Sequence, residues 1–198
     1  MLEMVLATNN VGKQREFEKM LSALPIRLVP QSQFNIPVVA ETGATFIENA
    51  LLKARHAAAF TGMPAIADDS GLVVDALGGR PGIHSARYAG PDADDVARIN
   101  KLLQELDGVA EEHRLASFYC VTVLLESEND PAPLICEGVW DGSILTAPVG
   151  TGGFGYDPVF WVAEKKCSAA QLTADEKNQL SHRGQALEKL LEAMEQIA

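Results

Sequence analysis

Gly150-Thr151-Gly152-Gly153-Phe154-Gly155-Tyr156-Asp157-Pro158 contains a literal G-x-G-x-x-G, and the residues after its last glycine decide the fold. A dinucleotide-binding loop must follow a strand and open a helix, whose N-terminus then receives the pyrophosphate. Here the glycine leads into Tyr-Asp-Pro-Val-Phe-Trp. Pro158 permits a first helical turn, but Val159, Phe160 and Trp161 are strand formers and a poor start to an amphipathic helix. The stretch therefore reads as a flexible glycine loop turning into a short strand. Such a loop lets backbone approach a flat ligand closely, with Phe154 or Tyr156 as a stacking face. A tight loop anchored by buried rings is the structural alternative.

Upstream of that loop, Leu115 to Glu126 is apolar or β-prone at almost every position. This predicts a strand buried on both faces at the centre of a sheet. Leu134 to Leu145 reads as its neighbour across the Asn129-Asp130-Pro131 turn. Nearer the N-terminus, Met4-Val5-Leu6-Ala7 is a short strand and Thr8-Asn9-Asn10 suits a helix N-cap. Phe17, Met20, Leu21 and Leu24 then occur at helical spacing, with the helix ending near Pro25. Thr45-Phe46-Ile47-Glu48 is a capping box opening a helix to about Phe60. Ala65-Ile66-Ala67 and Leu72-Val73-Val74 read as strand pieces around an acidic turn. A further helix spans Asp94 to Leu106, Thr173 to Glu176 is a second capping box, and the final helix puts Leu187, Leu190, Leu191 and Met194 on one face. The sum is one α/β domain over residues 1–198, a central twisted mixed β-sheet flanked by helices.

Composition limits the function classes. The chain has 198 residues, 47% hydrophobic and 22% charged, as in ordinary soluble domains. No apolar run matches a membrane span, and Met1-Leu2-Glu3-Met4 lacks the basic region of a secretion signal. Cys120, Cys136 and Cys167 are widely spaced with no C-x-x-C, which fits reduced thiols of a cytoplasmic protein and argues against zinc. A net charge of -11 argues against a nucleic-acid partner. It leaves room for a small polyphosphate held by a few convergent lysines and a divalent cation.

Short segments carry the candidate chemistry. Thr8-Asn9-Asn10-Val11-Gly12-Lys13 joins a strand to a helix, where backbone N–H groups and the helix dipole favour an anion and Lys13 adds charge. It is not a Walker A loop, because Gln14 stands where a hydroxyl would meet magnesium. Ala67-Asp68-Asp69-Ser70-Gly71 sets carboxylates side by side, which is costly unless solvent or a cation offsets their repulsion. Mg²⁺ takes oxygen ligands and keeps several waters, so one or two carboxylates suffice; Glu41, before Thr42-Gly43, can supply another oxygen. Gly78 to Tyr88 reads as a shaped loop in which Arg87 contacts phosphate or an ion-pair partner, the ion pair being favoured. Ser181-His182-Arg183-Gly184, near Lys177, presents several donors to a carbonyl edge, or else is a helix start exposed to water. A Ser/His/Asp hydrolase built from Ser70, His182 and Asp69 is disfavoured by the lack of a G-x-S-x-G elbow.

Taken together, Thr8-x-Asn10-x-x-Lys13, Glu41-Thr42-Gly43, Ala67-Asp68-Asp69-Ser70-Gly71-Leu72, Gly79-x-Pro81-Gly82, Ser85-Ala86-Arg87-Tyr88, Gly152 to Pro158 and Ser181-His182-Arg183 occur in the order expected of one family. The chain resembles a bacterial member of the inosine/xanthosine triphosphate pyrophosphatases, from its first strand to its last helix. It departs from that pattern at Asn9, where a smaller residue is usual, and at His84, where an aromatic is common.

The resemblance implies two lobes with a cleft between them, a homodimer, and Mg²⁺-dependent cleavage of deaminated purine nucleoside triphosphates (ITP, dITP, XTP, dXTP) to monophosphate and pyrophosphate. By position it implies that Thr8, Asn10, Lys13, Lys53 and Lys177 hold the triphosphate, with Asn9, Val11, Gly12 and Ser70 lining the site. Glu41 and Asp69 would hold magnesium, Asp68 would support them, and Asp69 would be the catalytic carboxylate. Phe154 would stack on the purine, while Gly155, Tyr156, Asp157, His182 and Arg183 would line the base pocket. Hypoxanthine and xanthine carry a 6-oxo acceptor where adenine carries a donor, so donors there reject ATP by being left unpaired. Rejecting GTP requires penalising its 2-amino group. Alternatives are a pyrophosphatase for other modified nucleotides and a non-catalytic nucleotide-binding regulator. The clustered acids disfavour the regulator, since a binder of polyphosphate has little use for negative charge.

Overall fold

The computed structural model describes residues 2–22 and 24–197, residues 196 and 197 as backbone only. In chain order the elements are β1 (Leu2–Leu6), α1 (Val11–Met20), β2 (Ile26–Pro30), α2 (Phe46–Thr61), β3 (Ala65–Val74), α3 (Asp95–Glu105), β4 (Leu115–Leu125), β5 (Leu134–Ile144), β6 (Phe160–Val162), β7 (Cys167–Ser168), α4 (Ala174–Leu180) and α5 (His182–Ile197). The strands form a mixed sheet in the order β2-β1-β3-β4-β5-β6-β7. β1 runs parallel to both β2 and β3, whereas β6 is antiparallel to β5 and β7. The chain divides into two compact units, one of Met1–Asp69, Cys120–Gly138 and Arg183–Ala198, the other of Ser70–Tyr119 and Val139–His182. Among the described residues no helix is long and apolar enough to cross a membrane.

In the first unit, strand alternation feeds two apolar clusters. Val5, Ala7, Ala65, Ala67, Val121, Val123 and Leu125 join one, against Ala50, Ala54, Ala57 and Ala58 of α2. Met4, Leu6, Ile66 and Leu124 join the other, against Phe17 and Leu21 and against Leu187 and Leu190 of α5. Successive residues facing opposite ways is the period-2 rule of a strand covered on both sides. The alanine face of α2 lets that helix lie close to the strands. Helix α1 stops at Met20, earlier than expected, yet Leu24 still packs against the second cluster from beyond it.

The second unit is built on aromatic rings. Phe118, Trp140 and Phe160 pack with centroids 4.6–6.3 Å apart, and α3 adds Ile99 and Leu102 to the same cluster. Buried Arg114 donates to the carbonyls of Leu106, the C-cap of α3, of Val109 in the turn after it, and of Leu145 just past β5.

One expectation fails. The acidic turn between Ala67 and Leu72 does not exist: β3 runs unbroken from Ala65 to Val74 through Asp68, Asp69, Ser70 and Gly71. Asp and Gly disfavour strands, and cations from elsewhere in the sequence overrule that preference.

Candidate active site

Asp68 is 1% exposed and Asp69 6%, so β3 carries adjacent carboxylates into the interior of the first unit. Each has its own cations. Oδ2 of Asp68 accepts from Lys13 Nζ at 2.8 Å and from the Arg183 guanidinium at 3.1 and 3.2 Å. Arg183, itself 2% exposed, also pairs with Glu16. Burial alone would raise the Asp68 carboxyl, but Lys13, Arg183 and Lys53 outweigh it and hold the group well below the usual carboxylate range. Oδ1 of Asp68 is buried and has no hydrogen-bond partner among the described residues.

Asp69 is shifted the other way. Burial pushes its carboxyl up, Lys53 and Lys13 oppose this, and Glu41 adds to it. Lys53 Nζ lies 2.7 Å from Asp69 Oδ1 and 2.9 Å from Glu41 Oε1, one ammonium between two carboxylates. Burial would lower Lys53, but Asp69, Asp68 and Glu41 together raise it, so it stays charged. Neighbouring carboxylates driven apart in this way take different jobs: Asp68 is permanently ionised, Asp69 the more basic.

At the start of α1, Asn10 is the N-cap and its Oδ1 accepts from Lys13 N at 3.0 Å. Thr8 Oγ1 accepts from Asn10 N at 3.2 Å, and Gln14 returns to the Thr8 carbonyl at 2.8 Å. Asn9 and Val11 are exposed. The first N–H groups of α1 thus lie on the same turn as Lys13, the arrangement that favours an anion.

Cys120 also touches Asp68, with Sγ 3.8 Å from Oδ2. Burial, and then the Asp68 charge, push its thiol up to about 12, so it stays protonated and is no nucleophile.

In the second unit, the glycine loop enters a single helical turn at Asp157–Val159 and then β6, as its sequence predicts. Asp157 is 3% exposed; its Oδ2 accepts from Phe154 N at 2.9 Å and pairs with Lys177. Lys177 Nζ sits 4.4 Å from the Phe154 ring centroid. Gly155 N donates to Asp95 at 2.7 Å, which fixes the loop to the first turn of α3. His182, 6% exposed, stacks on Phe118 at 4.8 Å and 10°. Ser70 is half-buried on β3.

Three placements bear on what the sequence suggested. Tyr156 offers no stacking face: its ring is 4% exposed within the core, and its hydroxyl donates to the Ser85 carbonyl at 2.9 Å. Lys177 keeps company with Phe154 and Asp157, the base-pocket candidates, because the buried Asp157 carboxylate draws its ammonium there. The Ser181-His182-Arg183 turn is buried, not a solvated helix start. Sequence reasoning missed Glu16, Asn49 and Asp95, and it quoted Ser85 within a motif without giving it a role. Ser85 accepts from Leu72 N at 2.8 Å and donates to Gly82 O at 2.6 Å, so it shapes the loop that its flanking Pro and Gly residues signalled.

Donor chemistry tests the expected cation. Among the described residues there is no cluster of three or more His, Cys, Asp or Glu that could hold a metal. Glu41 and Asp69, joined through Lys53, offer oxygen alone. That set fits Mg²⁺, which binds through one or two carboxylates plus substrate phosphates, and does not fit a structural zinc cage.

Known proteins resemble this chain over nearly its whole length. A protein of Vibrio cholerae named dITP/XTP pyrophosphatase is 56% identical over 99% of this chain and 98% of its own. One of the same name from Idiomarina loihiensis is 60% identical over 96% of each. The solved structure of a HAM1 protein from Coxiella burnetii covers 99% of this chain and 100% of its own, with a TM-score of 0.93 at 52% identity. The Staphylococcus aureus Ham1 protein superposes with a TM-score of 0.88 at 39% identity, covering 99% and 100%. The resemblance read from the ordered sequence motifs therefore holds, and with residues 4–193 matching the model of the Ham1 family, the chain belongs to that family.

Proposed function

We propose that the chain is a Mg²⁺-dependent pyrophosphatase of deaminated purine nucleoside triphosphates, releasing the nucleoside monophosphate and pyrophosphate. The observation that carries this reading is the buried Asp68–Asp69 pair, with Lys13 and Arg183 on one carboxylate and Lys53 on the other. A protein that only binds polyphosphate has no use for such acids, and the names of the relatives agree.

In this reading Lys13, Lys53 and the α1 N-terminus, with Thr8 and Asn10, take the triphosphate charge. Glu41 and Asp69 would hold the cation, which would neutralise charge on the phosphoryl oxygens. Water attacks the α-phosphorus; its oxygen bonds to phosphorus, and the bond to the α,β-bridging oxygen breaks. Pyrophosphate leaves, and the proton of water passes to Asp69 acting as base, a role that competes with holding the cation because a bound cation lowers the basicity of its ligand. Asp68, held ionised by Lys13 and Arg183, keeps β3 and the lysine in register. Positioning and charge neutralisation supply most of the acceleration in such reactions.

Phe154 stacks on the purine, and Asp157 and Lys177 hold that loop in shape. His182 and Arg183 donate to the 6-oxo edge, so adenine meets donor against donor. The enzyme acts as a homodimer in the cytoplasm, clearing non-standard purines from the nucleotide pool.

The test is a turnover panel with Mg²⁺ and ITP, dITP, XTP, ATP, GTP and dCTP as separate substrates. Preferential turnover of the deaminated purines supports the reading. Equal rates across all six, or no turnover of any, would overturn it.

A further inference from the structure

Asn49 is completely buried, at 0% exposure, yet it is not part of the apolar face that α2 presents to the strands. Both ends of its amide are used. Oδ1 accepts from Gly43 N at 2.9 Å, and Nδ2 lies 3.4 Å from Asp69 Oδ2. The Gly43 N–H can only face an oxygen, so the orientation of the amide is fixed and the NH₂ end must point at the carboxylate.

The preceding residue extends the grip. Glu48 Oε2 accepts from Ala44 N at 2.7 Å and Thr45 N at 2.9 Å. Successive N–H groups of Gly43, Ala44 and Thr45 are thus all taken by side chains of the first turn of α2. Gly43 has no room for a side chain: an added Cβ would lie 2.6 Å from Glu48 Cβ and 2.7 Å from Asn49 Oδ1. Glu41 sits two residues before this clamped glycine. One helical turn beyond Asn49, Lys53 reaches Asp69 Oδ1 and Glu41. A single face of α2 therefore holds both oxygens of Asp69 and both ends of the Glu41 segment.

We infer that Asn49 is a positioning residue for the divalent cation, setting the spacing between the Glu41 and Asp69 carboxylates by tying the Glu41 loop to Asp69. This rests on the cation reading proposed above. Partners that orient metal ligands commonly matter almost as much as the ligands themselves.

The test uses Asn49→Leu, close in volume but without either hydrogen bond, and Asn49→Ser, too short to reach either partner. Mn²⁺ binding to the full chain, in the presence of a non-hydrolysable α,β-methylene analogue of ITP, is followed by electron paramagnetic resonance. Both variants should bind Mn²⁺ about tenfold or more weakly than wild type. In steady-state turnover kcat should fall while KM for ITP at saturating Mg²⁺ moves by less than about threefold. If Asn49→Leu fails to fold, Asn49→Ser alone decides. A variant with lowered thermal stability but wild-type Mn²⁺ affinity would overturn the inference, since a purely structural asparagine gives that result. Wild-type protein that binds no Mn²⁺ with the analogue removes the cation reading itself, and the inference with it.

Discussion

Arg183 closes on Asp68 across 115 positions of sequence, placing Nε 3.2 Å and an Nη 3.1 Å from the same carboxylate oxygen. The Asp68 side chain is 0% exposed and that of Arg183 2%, so neither charge has water to fall back on. Removing one partner of a buried pair costs about 3–5 kcal/mol, because the other is left uncompensated. Asp68→Ala should lose stability on that scale in equilibrium urea unfolding. A loss under about 0.5 kcal/mol, the usual range for surface changes, would contradict the arrangement.

Acid should find the same group. Burial raises the Asp68 carboxyl, but Lys13 and Arg183 more than reverse this, so its folded pKa lies below the unfolded one. A depressed carboxylate contributes stability that is complete above the unfolded pKa, about 3.9, and is lost as pH falls towards the folded value. Unfolding free energy of the wild type should therefore drop steeply from about pH 5 downward. Asp68→Asn should start less stable and show a shallower slope across that window. Parallel slopes would mean Asp68 is not the titrating group.

Phe154 is half-buried, with Lys177 4.4 Å from its ring centroid. Stacking of a base on an aromatic ring is worth about 1–3 kcal/mol, so Phe154→Ala should raise KM for ITP by about five- to hundredfold. Phe154→Trp should largely retain binding. An unchanged KM in Phe154→Ala would take the ring out of base recognition.

Gly153 has φ +71°, and a Cβ there would fall 2.0 Å from Asp157 Oδ2. Gly62 has a similar φ of +66° with nothing within 4 Å of the added carbon. Both alanine variants carry the left-handed strain of about 1–2 kcal/mol. Only Gly153→Ala must also displace Asp157 from Phe154 N and Lys177. It should be the more destabilised in thermal melts and the one whose preference for ITP over ATP narrows; equal effects would show that Asp157 is not constrained by this contact.

Local signals were legible wherever the sequence carries its own instruction. Thr45 and Thr173 form the capping boxes their spacing announces, and the glycine loop leads to a strand because the helical turn at Asp157–Val159 runs straight into the strand-forming Phe160 and Trp161. The unbroken run from Leu115 marked a central strand, fourth in the sheet order, but burial on both faces holds only for its second half, since Leu115 and Tyr119 are exposed. Long-range electrostatics were not legible. Asp68 and Asp69 look like a turn because Asp and Gly favour turns, and nothing adjacent reveals that Lys13, Lys53 and Arg183 converge on them. Asn49 was hidden for a related reason: one asparagine in an alanine-rich helix gives no pattern, and its meaning lies in Gly43 and Asp69, neither of which its own helix supplies.

The most direct test of the proposed chemistry is hydrolysis of ITP with Mg²⁺ in ¹⁸O-labelled water, with products separated and weighed. Attack on the α-phosphorus predicts one labelled oxygen in the inosine monophosphate and unlabelled pyrophosphate. Label in the pyrophosphate, or release of orthophosphate with inosine diphosphate, would contradict attack at that phosphorus.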